Sequence, residues 1–220
     1  MLRPGKDNGL EPARRQMLQE HLQGRGITDQ NVLRVMAQTP REEFVLESDR
    51  CRAYADGPLP IGSGQTISQP YIVALMTQLL RLNGDCEVLE VGTGSGYQTA
   101  VLARLAKRVY TVERFPELSA LARETLGKLG IGNVEFLVGD GSCGWLADRV
   151  FDRIIITAAV PDWPAPLTAQ LAEAGLLVAP VGHGAVQQLV KAEKHHDKLV
   201  EEYVCSCRFV RLIGQHGFSE

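Results

Sequence analysis

The sequence has no long apolar run and little net charge. None of its hydrophobic runs approaches the about 20 residues of a membrane-spanning helix, and its N-terminus is too polar for a signal peptide. A formal net charge of −3 gives no electrostatic footprint for nucleic acid or an anionic membrane. The lack of a long apolar run and the small net charge predict a cytoplasmic protein with neither a nucleic-acid nor a membrane partner.

Cysteine is scarce, odd in number and without a disulfide-framework spacing. The five residues are Cys51, Cys86, Cys143, Cys205 and Cys207, as expected for free thiols in a reducing compartment. Cys205 and Cys207, two apart on a predicted strand, share a face, and His195 and His196 lie nearby in sequence. Because no second ligand pair follows at zinc-finger spacing, we predict no metal site.

Residues 88–103, VLEVGTGSGYQTAVLA, form the most informative stretch of the chain. A short apolar run enters a glycine loop, and a helical pattern leaves it. Gly92, Gly94 and Gly96 let the chain turn sharply and bring backbone N–H groups close to a ligand. A loop of this kind at the carboxyl end of a strand is typical of a nucleotide-type cofactor site.

Two details indicate which cofactor this loop receives. Its spacing, G-x-G-x-G, differs from the dinucleotide fingerprint G-x-G-x-x-G, which binds a pyrophosphate. No Lys or Arg lies between Glu87 and Ala103 to help hold a diphosphate. The loop therefore favours S-adenosylmethionine, a nucleoside cofactor without phosphate.

Acidic residues follow at the ends of the next two predicted strands. Glu113 ends the apolar run that begins at Arg108, where a carboxylate can accept hydrogen bonds from both ribose hydroxyls. Asp140 lies between Gly139 and Gly141 after a third run, where it can reach an adenine amino group. Glu113 could instead be a helix N-terminal charge and Asp140 a turn former. Their order at successive strand ends favours the cofactor interpretation.

The pattern of elements predicts one α/β domain over residues 1–220, with a mostly parallel, seven-stranded sheet and flanking helices. Residues 1–9 are predicted to be a disordered leader, 10–82 N-terminal helices and a substrate loop, and 83–212 the cofactor-binding core. Predicted helices include residues 11–23, 29–38 with Thr28 as cap, 71–82, 98–105 and 118–129. Predicted strands cover residues 88–91, 108–112, 134–138, 152–157, 176–181, 187–193 and 200–210. The last two strands follow one another without a helix, which predicts an antiparallel hairpin at one edge.

The segment from residue 40 to residue 70 is predicted to be irregular, because prolines and glycines crowd it. Long loops of this kind usually carry function. Gln65, Thr66, Ser68 and Gln69 offer hydroxyls and amides without charge. The alternative is a coil whose hydroxyls only cap the helix after Pro70, a role that Ser68 could fill.

Four blocks of the sequence together resemble the protein-L-isoaspartate O-methyltransferase family. They are LPIGSGQTISQP, VLEVGTGSGYQTAVLA, VGDGSCGW and FDRIIITAA, and the resemblance runs from about Leu18 to Leu212. The GQTISQP block is far more particular to this family than the glycine loop. The resemblance implies a Rossmann-like methyltransferase sheet with an N-terminal helical extension. It also implies methyl transfer from S-adenosyl-L-methionine to the α-carboxylate of L-isoaspartyl residues in damaged proteins, with S-adenosyl-L-homocysteine as product.

The same resemblance assigns roles to residues of the matching blocks. Ser68 is implied as the catalytic hydroxyl, and the cofactor-binding residues are Gln65, Thr66, Ile67, Gly92, Thr93, Gly94, Gly96, Glu113, Asp140 and Gly141. Of these, the glycine loop would hold the methionine part, Glu113 the ribose, and Asp140 with Gly141 the adenine. The leader before Leu18 is longer than the family needs. The end after Leu212, IGQHGFSE, has no clear match, so no cofactor contact is assigned there.

The expected chemistry agrees with the residue types in these blocks. An α-carboxyl has a reference pKa of about 3.3–3.7, so it is already ionised near neutral pH and needs no general base. Ser68 is therefore interpreted as a positioning donor, and its surroundings lack the G-x-S-x-G of a serine hydrolase. The fourth core strand ends in Thr157-Ala-Ala-Val-Pro161 without the Asn/Asp-Pro-Pro-aromatic signature of enzymes that methylate base amino groups, which disfavours an amine substrate.

Three alternatives stay open at this point. A nicotinamide-dependent dehydrogenase would share the glycine loop and Glu113, but it should show G-x-G-x-x-G and a separate substrate domain. A non-catalytic module would bind S-adenosylmethionine without turning it over. Another methyltransferase would act on a different carboxylate, a small molecule or RNA. We expect a monomer, since no long apolar helix face is left over.

Overall fold

The computed structural model describes residues 9–146, 149–196 and 198–219, so the predicted leader, residues 1–9, lies outside the described residues except for Gly9. The helices are α1 (Glu11–Gln16), α2 (Gln30–Gln38), α3 (Pro70–Leu79), α4 (Tyr97–Ala103), α5 (Pro116–Lys128) and α6 (Ala165–Ala169). The strands are β1 (Leu59–Gly62), β2 (Gln65–Ile67), β3 (Glu87–Val91), β4 (Arg108–Glu113), β5 (Val134–Val138), β6 (Phe151–Ile156), β7 (Leu171–Val181), β8 (Gln187–His195) and β9 (Lys198–Cys207). A π-helical turn, Met17–Leu22, continues α1.

Seven strands form one mostly parallel sheet, which confirms the predicted fold class. Their order is β5-β4-β3-β6-β7-β8-β9. In this order the neighbouring strands from β5 to β7 pair in parallel. Strands β8 and β9 add an antiparallel hairpin at one edge, as predicted. The crossover point lies at β3, which has β4 on one side and β6 on the other, and ligands of open α/β sheets bind at such a point.

Alternating side chains of the central strands fill two cores. Val88 packs into the core that the N-terminal helices and α3 to α5 cover. Its neighbour Leu89 packs into the core on the opposite face, with Leu167 of α6. Because successive strand residues point to opposite faces, both faces of β3 are buried, and the strand is apolar except at Glu87 and Glu90.

The segment predicted to be irregular contains regular structure, which corrects the sequence interpretation. Strands β1 and β2 form an antiparallel hairpin. Its turn has positive φ at Gly62 (96°), Ser63 (49°) and Gly64 (70°), so the glycines that suggested a coil instead allow a tight reversal. Two 3-10 turns, Arg41–Phe44 and Glu47–Arg52, precede the hairpin.

The N-terminal cap of α2 was assigned wrongly. The sequence analysis placed Thr28 there, but the cap is Asp29, whose carboxylate accepts the backbone N–H groups of Asn31 and Val32. A carboxylate also interacts favourably with the helix dipole, which a neutral hydroxyl does not.

Candidate active site

A cavity opens at the carboxyl ends of the parallel strands β3, β4 and β6 and is closed on one side by β2. Nine of the eleven predicted site residues line it: Gln65, Thr66, Ile67, Ser68, Gly92, Thr93, Gly94, Glu113 and Gly141. Asp140 lines an adjoining cavity beside Gly214 and Phe218. The fold thus brings four separate sequence blocks to one edge of the sheet.

The glycine loop has the backbone conformation that its composition predicts. Gly92, Gly94 and Gly96 have φ values of 96°, 53° and 86°. A Cβ on Gly92 would lie 2.4 Å from Oγ1 of Thr157, a hydroxyl that donates to the Gly92 carbonyl at 2.6 Å. Thr157 fixes the loop from the end of β6, and sequence reasoning did not find that role.

Gly96 lies behind the loop rather than in the cavity lining. It is the residue before α4, and a Cβ there would meet Leu126 Cδ1 at 2.8 Å and Ala122 Cβ at 3.0 Å. The glycine therefore allows α4 to approach α5 closely. Its predicted contact with the methionine part of a cofactor stays a prediction.

Glu113 ends β4 with a carboxylate that is 5% exposed and faces the cavity. One oxygen accepts the backbone N–H of Gly94 at 2.8 Å, and the other accepts that of Phe115 at 3.0 Å. A carboxylate offers about four acceptor positions, so two stay available for hydroxyl groups of a ligand. The predicted contact of Glu113 with a ribose stays a prediction.

Beneath the loop lies a buried network that the sequence analysis missed. Glu90 pairs with Thr111 in the β3–β4 register and accepts its hydroxyl at 2.7 Å, together with that of Thr99 at 2.5 Å. Thr111 also shares a 2.6 Å hydrogen bond with Thr93 of the glycine loop. Burial raises the pKa of Glu90 to about 8. The sign of this network in the sequence was Glu90, a glutamate inside the apolar run VLEV.

Asp140 is held by hydrogen bonds from two segments. Its Oδ1 accepts the backbone N–H of Ser142 at 2.9 Å and the Ser142 hydroxyl at 2.6 Å. Its Oδ2 accepts the backbone N–H of Gln215 at 2.7 Å. Partial burial alone would raise the pKa of Asp140, but the hydrogen bonds from Ser142 and Gln215 lower it below its ordinary value.

The C-terminal segment, which the sequence analysis left unassigned, reaches the site. Val210, Arg211, Leu212 and Ile213 line the main cavity. The backbone of this segment is anchored at the end of β6, because Ala159 donates to the Val210 carbonyl at 2.7 Å and accepts from the Leu212 N–H at 2.8 Å. Nothing in the local sequence pattern indicated this pairing.

Ser68 follows β2 directly and is half-buried in the cavity wall. Within the described part of the chain its hydroxyl makes no hydrogen bond, so it can donate to a ligand. The residue that precedes α3 is Gln69, and among the described residues no side-chain hydrogen bond caps that helix. The alternative in which Ser68 merely caps α3 is therefore wrong.

The residues present fit a nucleoside cofactor without phosphate. Gly92 and Gly94 form a loop wall without side chains, and Glu113 is the only carboxylate among the described lining residues of the main cavity. Carboxylates at Glu113 and Asp140 suit hydroxyl and amino donors rather than phosphates.

No cluster of three or more potential metal ligands occurs in the part of the chain that the structure covers. No helix of the described ranges is long and apolar enough to span a membrane.

This sheet, with a glycine loop after β3, an acidic residue at the end of β4 and another just after β5, defines a Rossmann-like methyltransferase. The profile of the protein-L-isoaspartate(D-aspartate) O-methyltransferase family matches residues 13–217. The chain belongs to that family.

Individual relatives agree over nearly the whole chain. The protein-L-isoaspartate O-methyltransferase of Trichlorobacter lovleyi is 53% identical over 207 residues, which cover 94% of this chain and 95% of the relative. The enzyme of the same name from Geobacter metallireducens is 50% identical, with 94% and 96% covered.

Two solved structures of proteins with this name share the fold. A protein-L-isoaspartate O-methyltransferase superposes with a TM-score of 0.83 at 29% identity, covering 93% of this chain and 67% of that one. A putative enzyme of this type from Plasmodium falciparum, in complex with S-adenosyl-L-homocysteine, gives a TM-score of 0.79 at 26% identity, with 91% and 98% covered.

Proposed function

We propose that this chain transfers the methyl group of S-adenosyl-L-methionine to the free α-carboxylate of L-isoaspartyl residues in damaged proteins and peptides. The methyl ester then collapses to a succinimide, whose hydrolysis partly restores aspartate. The observation that carries the proposal is the placement of Ser68, in the block most particular to the family, in one cavity with the glycine loop and Glu113.

Each wall of the cavity has a separate task in this proposal. S-adenosyl-L-methionine, when bound, supplies a methyl group on a positively charged sulfur. The glycine loop would hold its methionine part, Glu113 the ribose hydroxyls, and Asp140 with Gly141 the adenine. Gln65, Thr66 and Ile67 line the side of the cavity where cofactor and substrate meet.

Ser68 acts as a positioning donor. Its free hydroxyl donates a hydrogen bond to the substrate carboxylate and aims one oxygen at the methyl group. No proton has to be removed, because the acceptor is already an anion near neutral pH. In keeping with this, no histidine is among the described residues of the cavity lining, and Glu113 is engaged by two backbone N–H groups.

The charge at the cavity rim suits an anionic substrate. The exposed guanidinium of Arg211 lies in the cavity lining and stacks over the Phe218 ring, 4.9 Å from its centroid. A cation in this position raises the local concentration of carboxylate-bearing peptides. The proposed substrates are proteins and peptides, with no nucleic-acid partner.

We also propose a cytoplasmic location and a monomeric state. All five cysteines are unpaired, which supports a reducing compartment. The thiol of Cys207 is buried, and burial raises its pKa to about 12, so it does not act as a reactive thiolate.

Methyl transfer to a blocked substrate tests the proposed acceptor group. The protein is incubated with S-adenosyl-L-methionine labelled in its methyl group and an isoaspartyl peptide, and with the same peptide carrying an α-carboxamide. The proposal predicts base-labile label on the free acid alone. Label on the carboxamide would show another acceptor, and transfer to neither peptide would favour a different carboxylate or a small molecule as substrate.

A further inference from the structure

The last described residues form a closed turn, residues 212–218, which we call the C-terminal turn. Phe218 donates its N–H to the Leu212 carbonyl at 2.8 Å, and its own carbonyl accepts the N–H of Gly214 at 3.1 Å. Gly217 donates to the Gly214 carbonyl at 3.1 Å. These internal bonds make the turn a unit that docks as a whole.

Ser142 fastens this turn to Asp140. The Ser142 hydroxyl donates to Oδ1 of Asp140 at 2.6 Å and accepts the backbone N–H of His216 at 3.0 Å. The neighbouring N–H of Gln215 reaches Oδ2 of Asp140 at 2.7 Å. Ser142 is fully buried, so water does not compete for either of its hydrogen bonds.

The contact between the turn and Asp140 leaves no space for a side chain. A Cβ on Gly214 would lie 2.0 Å from Oδ1 of Asp140 and 2.6 Å from the Ser142 hydroxyl oxygen. The backbone of the turn therefore rests directly on the carboxylate. The two carboxylate oxygens receive three N–H or O–H donors from Ser142 and Gln215, which define the plane of the carboxylate, and Oδ2 also accepts a longer contact from the Cys143 thiol at 3.5 Å.

We propose that Ser142 and the C-terminal turn are positioning elements that make the cofactor site selective for a 6-aminopurine. The inference rests on the proposed function, in which Asp140 faces the adenine. With Oδ1 saturated by Ser142, Oδ2 is the oxygen left for the amino group of the base, which would replace the weak contact of the Cys143 thiol beside the Gln215 N–H. A base with a carbonyl at that position would place an acceptor against an acceptor and is rejected.

Base discrimination measures this role directly. Isothermal titration compares the affinities for S-adenosylhomocysteine and for S-inosylhomocysteine, in which a carbonyl replaces the 6-amino group. The wild type should prefer the adenine compound by about tenfold or more, the value of one hydrogen bond to a charged group. Ser142→Ala should lose most of this preference, because Oδ1 of Asp140 then loses its hydroxyl donor and the His216 N–H of the C-terminal turn loses its acceptor.

Matched variants separate positioning from packing. Ser119→Ala removes another buried serine hydroxyl, on α5 outside the cavity lining, and should keep the full preference. Gly214→Ala should lose the preference as Ser142→Ala does. Gly132→Ala should keep it, because a Cβ at Gly132 meets no atom within 4 Å. A merely structural loss would weaken both compounds equally and leave their ratio unchanged.

An unchanged ratio in folded Ser142→Ala and Gly214→Ala proteins would overturn the inference. So would a wild type that binds both compounds equally. Because the titration uses no methyl acceptor, its failure is distinguishable from failure of the proposed function. Methylation of an isoaspartyl peptide by a protein without base selectivity would leave the function standing and remove only this role of Ser142.

Discussion

The backbone N–H of Gly94 donates to the carboxylate of Glu113 across 2.8 Å. This hydrogen bond joins the glycine loop after β3 to the acidic end of β4, the two features from which the sequence predicted a cofactor site. Glu113 therefore supports the shape of the loop and also presents free acceptor positions to the cavity. Loss of its carboxylate should affect the loop and the ligand together.

Glu113→Ala should weaken binding of S-adenosyl-L-methionine by at least about tenfold. Each charge-assisted hydrogen bond to a ribose hydroxyl contributes about 1.5–3 kcal/mol, and the N–H groups of Gly94 and Phe115 also lose their acceptor. Calorimetric titration checks the value. Glu124→Ala, which removes an exposed carboxylate that pairs with Lys128 on α5, is the control. Equal dissociation constants for wild type and Glu113→Ala would refute the ribose role.

Ser68→Ala should reduce methyl transfer by about tenfold to a hundredfold, the effect of one hydrogen bond to a charged group. The cofactor dissociation constant should change little, because the hydroxyl serves the substrate carboxylate. Steady-state kinetics with an isoaspartyl peptide measures the loss. Ser206→Ala, on the exposed edge strand β9, should behave as the wild type. Unchanged turnover of Ser68→Ala would remove this hydroxyl from the mechanism.

Glu90 should make the protein less stable as the pH rises. Burial raises its pKa to about 8 in the folded state. Its contribution to stability is therefore full below the unfolded value of about 4.3 and is lost as the pH rises through about 8. Glu90→Gln keeps an acceptor for Thr111 and Thr99 but has no titrating group.

Urea unfolding at several pH values between about 5 and 8 tests this expectation. The free energy of unfolding should fall with pH more steeply for the wild type than for Glu90→Gln. Glu47→Gln, at an exposed carboxylate, should follow the wild type. Parallel curves for the wild type and Glu90→Gln would show that Glu90 does not carry the effect.

Arg211→Gln should raise the KM for an isoaspartyl peptide several-fold at low ionic strength. The KM for S-adenosyl-L-methionine should change little. The difference in peptide KM between the wild type and Arg211→Gln should shrink with added salt, because salt screens the charge of Arg211 and the Debye length is about 10 Å at 0.1 M. Arg208→Gln removes an exposed arginine of the same segment that does not line the cavity. Equal effects of the two substitutions would argue for net charge alone and against a local role of Arg211.

The core of the fold was predictable because its signals are local. Apolar runs ending at Val91 and Glu113 have strand length, and glycines follow at fixed spacing, so β3, α4 and β4 could be located from neighbouring residues alone. The position of Asp140 after β5 followed in the same way. Parallel strands then bring these ends to one edge of the sheet.

The parts that escaped prediction depend on contacts between distant residues. Ser142 and His216 are 74 positions apart, and no local pattern links them. Glu90 meets Thr111 only because β3 and β4 pair in one register, which a single sequence does not specify. The β1–β2 hairpin was missed because Pro60 and Gly62, usually signs of a loop, occupy a two-stranded ribbon outside the main sheet.

The central claim is carboxyl methylation of isoaspartyl residues, and one kinetic comparison tests it most directly. Two peptides of identical sequence, one with an isoaspartyl and one with an aspartyl linkage, are offered with methyl-labelled S-adenosyl-L-methionine. We expect base-labile label on the isoaspartyl peptide alone, with kcat/KM for the aspartyl peptide at background. Equal labelling of both peptides, or none on either despite demonstrated cofactor binding, would contradict the account.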